Sequence, residues 1–237
     1  VAALQAEGEG IDHCIVGEPT SSVEFGDMVK IGRRGSLNAF LTVEGVQGHV
    51  AYPHRAANPV PVLVRLLAAL QARVLDAGYP EFQPSNLEVT TIDVGNPATN
   101  VIPRLAEARL NIRFNPAHAG VDLQRWIEAE AVKAGEGFGG KVGVRVEISG
   151  EAFLTEPGPF VALVANVIED VAGRRPELST TGGTSDARFI RALCPVVEVG
   201  LVGATMHAID ERTSVAQIEQ LTAVYLKLIR RYFEQFS

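Results

Sequence analysis

Apolar and polar positions alternate most cleanly in the middle of the chain. Leu37, Ala39, Leu41 and Val43 share one side of a period-two pattern, which predicts a strand with one buried face. Asn58-Pro59 then reads as a helix cap followed by proline at the first helical position. Leu63, Val64, Leu67, Leu70 and Val74 recur at helical spacing, and Gly78 and Pro80 close the segment. Leu87, Val89 and Thr91 alternate next, as do Leu110, Ile112 and Phe114. Val121, Leu123, Trp126, Ile127 and Ala131 mark a second helix, and Val142, Val144, Val146 and Ile148 a fourth strand. The resulting order over residues 35–149, β-α-β-β-α-β, is that of the ferredoxin-like split βαβ motif, an antiparallel sheet with both helices on one face.

The flanks follow another pattern. Ile11 to Val16 and Pro195 to Val199 are short continuous apolar runs, the signature of strands covered on both faces. Phe160, Leu163, Val164, Val167, Ile168 and Val171 predict one amphipathic helix. Ser214-Val215-Ala216-Gln217 is a capping box that opens a long helix carrying Ile218, Leu221, Tyr225, Leu228, Ile229 and Tyr232. Two buried strands do not make a stable sheet. Residues 1–34 and 150–237 are therefore expected to form a discontinuous and partial α/β domain, interrupted by 35–149, whose remaining strands belong to sequence before Val1.

Composition narrows the classes. With 46% hydrophobic residues in 237, the chain has enough apolar side chains for sizeable cores. Its net charge of −7 speaks against a nucleic-acid partner, which calls for a clustered basic surface; the basic pairs are Arg33-Arg34, Arg174-Arg175 and Arg230-Arg231. No apolar run approaches the roughly 18 residues of a membrane span, and the first residues lack the basic start and apolar core of a signal peptide. Cys14 and Cys194 lie in apolar runs and read as buried free thiols, so a reducing, cytoplasmic setting is expected.

Chemistry-bearing residues gather at the ends of apolar runs, where a rigid scaffold presents loops. These clusters are Gly17-Glu18-Pro19-Thr20, the run Ser179 to Asp186, and Met206-His207. Locally, Glu18 is either a turn-capping acid or a metal ligand, and His207 either a loop histidine or a ligand. They make a site only if the fold joins them.

Together with Gly32-Arg33-Arg34-Gly35-Ser36-Leu37, Gln47-Gly48-His49-Val50-Ala51-Tyr52-Pro53-His54 and Ala98-Thr99-Asn100-Val101-Ile102-Pro103, these clusters occur in an order that resembles the two-zinc aminoacylase- and carboxypeptidase-like metallopeptidases. Within that family the likeness is to members that hydrolyse N-succinyl-L,L-diaminopimelate to succinate and L,L-diaminopimelate, in lysine and diaminopimelate synthesis. It spans essentially the whole chain, but only about the C-terminal two thirds of a typical member.

The resemblance implies a zinc-dependent amidohydrolase with an α/β zinc domain and a ferredoxin-like domain that forms a homodimer. Two zincs are implied per complete subunit, with cobalt as an alternative. Glu18 would be a ligand of one metal and His207 of the other. The other ligands and the general base precede the segment matching Val1, and Glu7 and Glu9 do not fall in the family's adjacent acidic pair. His49 would reach the partner subunit's active site and donate to the developing oxyanion; otherwise it is a solvated histidine in a glycine-rich loop. His54 is read as structural and Arg34 as a surface residue. Arg33, Asn100, Arg113, Gly183 and Thr184 match positions around the substrate and its succinyl carboxylate, for which a guanidinium is well shaped; Arg113 is otherwise an exposed strand residue.

One departure is Gly203, where the family has an asparagine that helps bind the succinyl group. It leaves open a sister activity, an acetylornithine deacetylase or an aminoacylase. A non-catalytic dimerisation module is the third reading. As a separate chain, these 237 residues are expected to be inactive.

Overall fold

A computed structural model of the chain describes residues 2–8 and 10–236; Val1, Ser237 and the acid Glu9 lie outside the described residues. In chain order the helices are α1 (Ala2–Glu7), α2 (Pro59–Ala72), α3 (Gly120–Ala134), α4 (Pro159–Ala172), α5 (Ala187–Ile190) and α6 (Val215–Phe236). The strands are β1 (Cys14–Val16), β2 (Met28–Lys30), β3 (Gly32–Arg33), β4 (Gly35–Glu44), β5 (Gly48–His49), β6 (Asn86–Asp93), β7 (Val101–Ile102), β8 (Leu105–Phe114), β9 (Lys141–Gly150), β10 (Phe153–Leu154), β11 (Glu177–Ser179) and β12 (Val196–Glu198). They form two compact units: residues 34–152, and the described residues on either side of that segment.

The inserted unit, residues 34–152, is a four-stranded antiparallel sheet in the order β6-β8-β4-β9. Taken in sequence as β4-α2-β6-β8-α3-β9, it has the ferredoxin-like topology that the alternation predicts. Leu37, Ala39, Leu41 and Val43 of β4 and the alternate residues from Ala106 to Phe114 of β8 are buried against Leu63, Leu66 and Leu70 of α2 and Leu123 and Ile127 of α3. Each large aliphatic side chain buried in this way contributes about 1.5–3 kcal/mol. Asn58 caps α2 as expected, its Oδ1 accepting from the Val60 N–H at 3.1 Å.

Three details of this unit differ from the pattern. Helix α2 stops at Ala72, short of Gly78, so Val74 lies outside it and is exposed. Val64 also points to solvent, because the buried stripe runs through Val62, Leu63, Leu66, Leu67 and Leu70. Arg34 is half-buried and donates to Asn86 Oδ1 at 3.1 Å, so it is no free surface cation.

The outer unit holds a four-stranded mixed sheet in the order β1-β12-β2-β11, and a two-stranded pair of β10 and β3. Two of the expected strands are present, but β1 is confined to Cys14–Val16 and is only partly buried, whereas β12 is buried throughout. The sheet's other two strands here, β2 and β11, come from within the chain and were not read from the sequence. Their three-residue lengths carry no readable period. Phe160, Val164, Val167 and Ile168 of α4 pack with Val29, Val197, Val224 and Leu228 in the core of this unit. Ser214 caps α6 by accepting from the Gln217 N–H at 3.2 Å. The reciprocal half of the capping box is not made, because Gln217 Oε1 accepts from Thr213 Oγ1 and the Val202 N–H instead. Ile218 and Ile229, read as part of the apolar stripe, are exposed.

Candidate active-site residues

The outer unit brings the Glu18 and His207 loops to neighbouring strands. β1 and β12 run parallel, with Val16 opposite Glu198. Glu18 and the segment leading to His207 follow their C-terminal ends, the edge at which open α/β sheets place ligands. Beyond the strands the loops stay joined. Ser21 N–H donates to the Leu201 carbonyl at 3.2 Å, Gly203 N–H to the Ser21 carbonyl at 3.2 Å, and Ser21 Oγ to the Gly200 carbonyl at 2.9 Å. Gly200 is required here, since a Cβ would collide with the Glu18 backbone carbonyl. A hollow of about 240 Å³ lies between Pro19 and the segment from Leu201 to Met206.

Glu18 is half-buried and His207 exposed. His207 adopts φ +63°, a left-handed conformation uncommon for a residue with a side chain. It sits in a turn closed by the Ala208 N–H on the Thr205 carbonyl at 3.0 Å, and Thr205 Oγ1 in turn bonds both the N–H and the carbonyl of Arg212. A carboxylate and an imidazole are the right donors for zinc. Two donors do not fill a zinc site, however, and among the described residues no group of three or more His, Cys, Asp or Glu side chains is assembled to hold a metal ion. The described residues therefore do not by themselves fit a complete metal centre.

Beside this edge lies a buried polar network that extends the Ser179–Asp186 run. Arg33 is 8% exposed and Glu198 1% exposed. Arg33 Nε and Nη2 both donate to the Glu198 carboxylate, and Nη1 donates to the Thr181 carbonyl at 3.1 Å. Ser185 Oγ donates to the same carboxylate. Gly182, at φ +106°, leaves the space that the Arg33 guanidinium occupies. Arg33, expected around the substrate, thus spends much of its fork on Glu198 and on the loop that carries Gly183 and Thr184; Gly183 is exposed and Thr184 half-buried. Lys30 adds a buried cation, donating to Thr181 Oγ1 at 2.7 Å, Ser179 Oγ at 3.2 Å and Met28 Sδ at 2.7 Å. Burial, and then the charge of Arg33, lower its pKa to about 8. Glu198 and Lys30 were not singled out in the sequence. The available signal was an ionisable residue inside each of two apolar runs, Val196-Val197-Glu198-Val199 and Met28-Val29-Lys30-Ile31.

In the inserted unit, His49 and Asn100 are brought together. β5 pairs with β7, His49 opposite Val101, and the Val50 N–H donates to the Asn100 carbonyl at 3.1 Å. His49 is exposed, and its Nδ1 accepts from the Ala51 N–H at 3.1 Å. In the neutral ring that bond leaves the proton on Nε2. His54 lies in a short 3₁₀ turn with its ring edge-on to Tyr52. Arg113 is on β8, half-buried, opposite Ser36.

Residues 31–138 match the peptidase dimerisation domain. Over 98% of its length the chain is 73% identical to a succinyl-diaminopimelate desuccinylase of Phenylobacterium zucineum, and over its whole length 70% identical to one of Caulobacter vibrioides. It spans 61% of each of these relatives. Among solved structures, an aminopeptidase PepT from Bacillus cereus aligns with 96% of the chain and 59% of its own, at a TM-score of 0.78 and 17% identity; that likeness shows the fold. The fold class and the family resemblance drawn from the motifs hold. Among the described residues no helix is long and apolar enough to cross a membrane.

Proposed function

We propose that this chain is the greater part of a metal-dependent amidohydrolase that cleaves N-succinyl-L,L-diaminopimelate into succinate and L,L-diaminopimelate. The observation that carries the reading is the similarity to desuccinylases along the whole of the chain, coupled with Glu18 and His207 on joined loops after two parallel strands. We assign these two residues to the metals, two zinc ions per complete subunit with cobalt as a substitute. By themselves they are not a sufficient ligand set.

His49 is assigned to the carbonyl oxygen of the scissile amide in the partner subunit of a homodimer. The bond from Ala51 fixes the ring so that Nε2–H is the outward donor, the group that a developing oxyanion needs. In the outer unit, Gly183 and Thr184 are assigned to substrate, with Arg33 holding their loop in shape. In the inserted unit, Asn100 and Arg113 are assigned to substrate, Arg113 to a carboxylate. The free Cys14 and Cys194 suit a cytoplasmic setting.

The test is a chimera in which this chain replaces the matching segment of the Phenylobacterium zucineum relative. It should hydrolyse N-succinyl-L,L-diaminopimelate. An inactive chimera beside an active host would overturn the reading. Gly203 supports a second reading: its N–H is taken by Ser21 and it offers no side chain to the acyl group. Faster turnover of N-acetylornithine than of the succinyl substrate would establish that reading instead. In the active chimera, His49→Ala should lower kcat about 10²–10³-fold with the dimer intact in sedimentation; an unchanged kcat would remove His49 from the reaction.

A further inference from the structure

The helix-free face of the inserted sheet carries a cleft that this chemistry does not use. The hollow, of about 610 Å³, is lined by residues that include Phe40, Thr42, Asp93, Glu107, Arg109 and Arg145, and not by His49, Asn100 or Arg113. Strand register builds it in rows. Phe40, on central strand β4, lies opposite both Arg109 of β8 and Arg145 of β9. The Arg145 guanidinium stands 3.7 Å from the centre of the Phe40 ring and that of Arg109 5.8 Å from it. On the next row of the same face, Thr42 lies opposite Glu107 and Gly143, and Glu107 opposite Asp93 of β6.

The charges on these rows are not neutralised by one another. Asp93 and Glu107 face each other across the strands, an arrangement that costs stability. Neither side chain makes a hydrogen bond or ion pair among the described residues. Arg145 pairs with Glu147, on the side away from that acidic row. Gly143 has no side chain to cover Thr42. The cleft therefore has a cationic row over an aromatic ring and, two residues further along the strands, an acidic row. Two residues of strand span about 7 Å.

We infer that this cleft binds a small ω-amino carboxylate. Its carboxylate meets Arg109 and Arg145, its ammonium sits between Asp93 and Glu107, and its methylene chain lies over Phe40 and Thr42. An α-amino acid does not fit this pattern, because its charges sit on neighbouring carbons. The inference does not depend on the proposed hydrolysis.

Titration of the isotope-labelled 237-residue chain with 6-aminohexanoate, followed by amide NMR shifts, tests it. Saturable shifts around Phe40, Thr42 and Gly143 are expected, with glycine, hexanoate and hexylamine each binding at least about tenfold more weakly, the loss of one charge-assisted contact. The exposed double variant Asp93→Asn, Glu107→Gln should weaken 6-aminohexanoate about tenfold and leave hexanoate unchanged, its spectrum showing that the fold is retained. No saturable shift, hexanoate or hexylamine binding as well as 6-aminohexanoate, or a double variant that binds unchanged would each overturn the assignment.

Discussion

In the inserted unit, β4 pairs with β8 over ten residues and the inward positions of both strands are apolar. The outer sheet pairs three residues at a time and buries Lys30, Arg33, Ser179, Thr180, Ser185 and Glu198 among its aliphatic side chains. The first arrangement is stabilised by an apolar layer between sheet and helices that holds no charged side chain. The second places charges where each must find a partner from a distant part of the chain, because a buried charge without one is strongly destabilising. The inserted unit is thus suited to present a surface. The outer unit holds loops in fixed positions at a strand edge, as a chemical site requires.

That contrast can be broken most strongly at Glu198. Glu198→Ala leaves Arg33 buried without its carboxylate and should destabilise the chain by about 3–5 kcal/mol, measured by urea unfolding. Replacing both partners, Arg33→Met with Glu198→Leu, should recover most of the loss. If the double variant is no better than the single, the pair is not the source of the cost. Next in size is Leu66→Ala in α2, fully buried in the inserted core. It should cost about 3 kcal/mol through lost transfer energy and the cavity left behind; a loss under about 1 kcal/mol would show a core free to collapse.

A smaller effect concerns Asp76, the acid at the centre of a polar cluster in the inserted unit. Asp76 is bonded to the Gly78 and Ser85 N–H groups, to Asn115 and to His118. Burial opposes its charge, but the hydrogen bonds from Ser85, Gly78 and Asn115 prevail and hold its pKa at about 2, against an ordinary 3.8. The folded state therefore binds that proton less readily than the unfolded state. The stabilisation is complete above about pH 4 and is lost as pH falls towards 2. Asp76→Asn should flatten the dependence of the urea midpoint on pH across that window, and an unchanged slope would contradict the account. The smallest effect expected is about 1 kcal/mol for Asn58→Ala, which removes the cap of α2; it should appear in the same unfolding measurement.

These differences also explain what was legible. The ferredoxin-like order was readable because its strands are long enough for period two and its helices long enough for a stripe. The end of α2 was misplaced: Arg73 to Asp76 carries no helix breaker, and it is Asp76, bonded to Ser85 and Asn115, that holds the following loop in another course. Glu18 and His207 could be singled out because each sits in a polar cluster after an apolar run, and His49 and Asn100 because they lie in motifs that resemble the family's. Glu198 and Lys30 were passed over, since an acid or a lysine beside valines reads as one more strand residue until its partner is known.

By itself, the sequence determined the layered inserted unit, the helices α4 and α6 and the positions of the polar loops, all of which follow from the local spacing of apolar side chains. Only the tertiary structure decided that β2 and β11 join the outer sheet, that Arg33 is held by Glu198, and that Phe40 gathers two arginines on the open face. Those outcomes join residues far apart in the chain, and no local period records which distant strand will lie alongside.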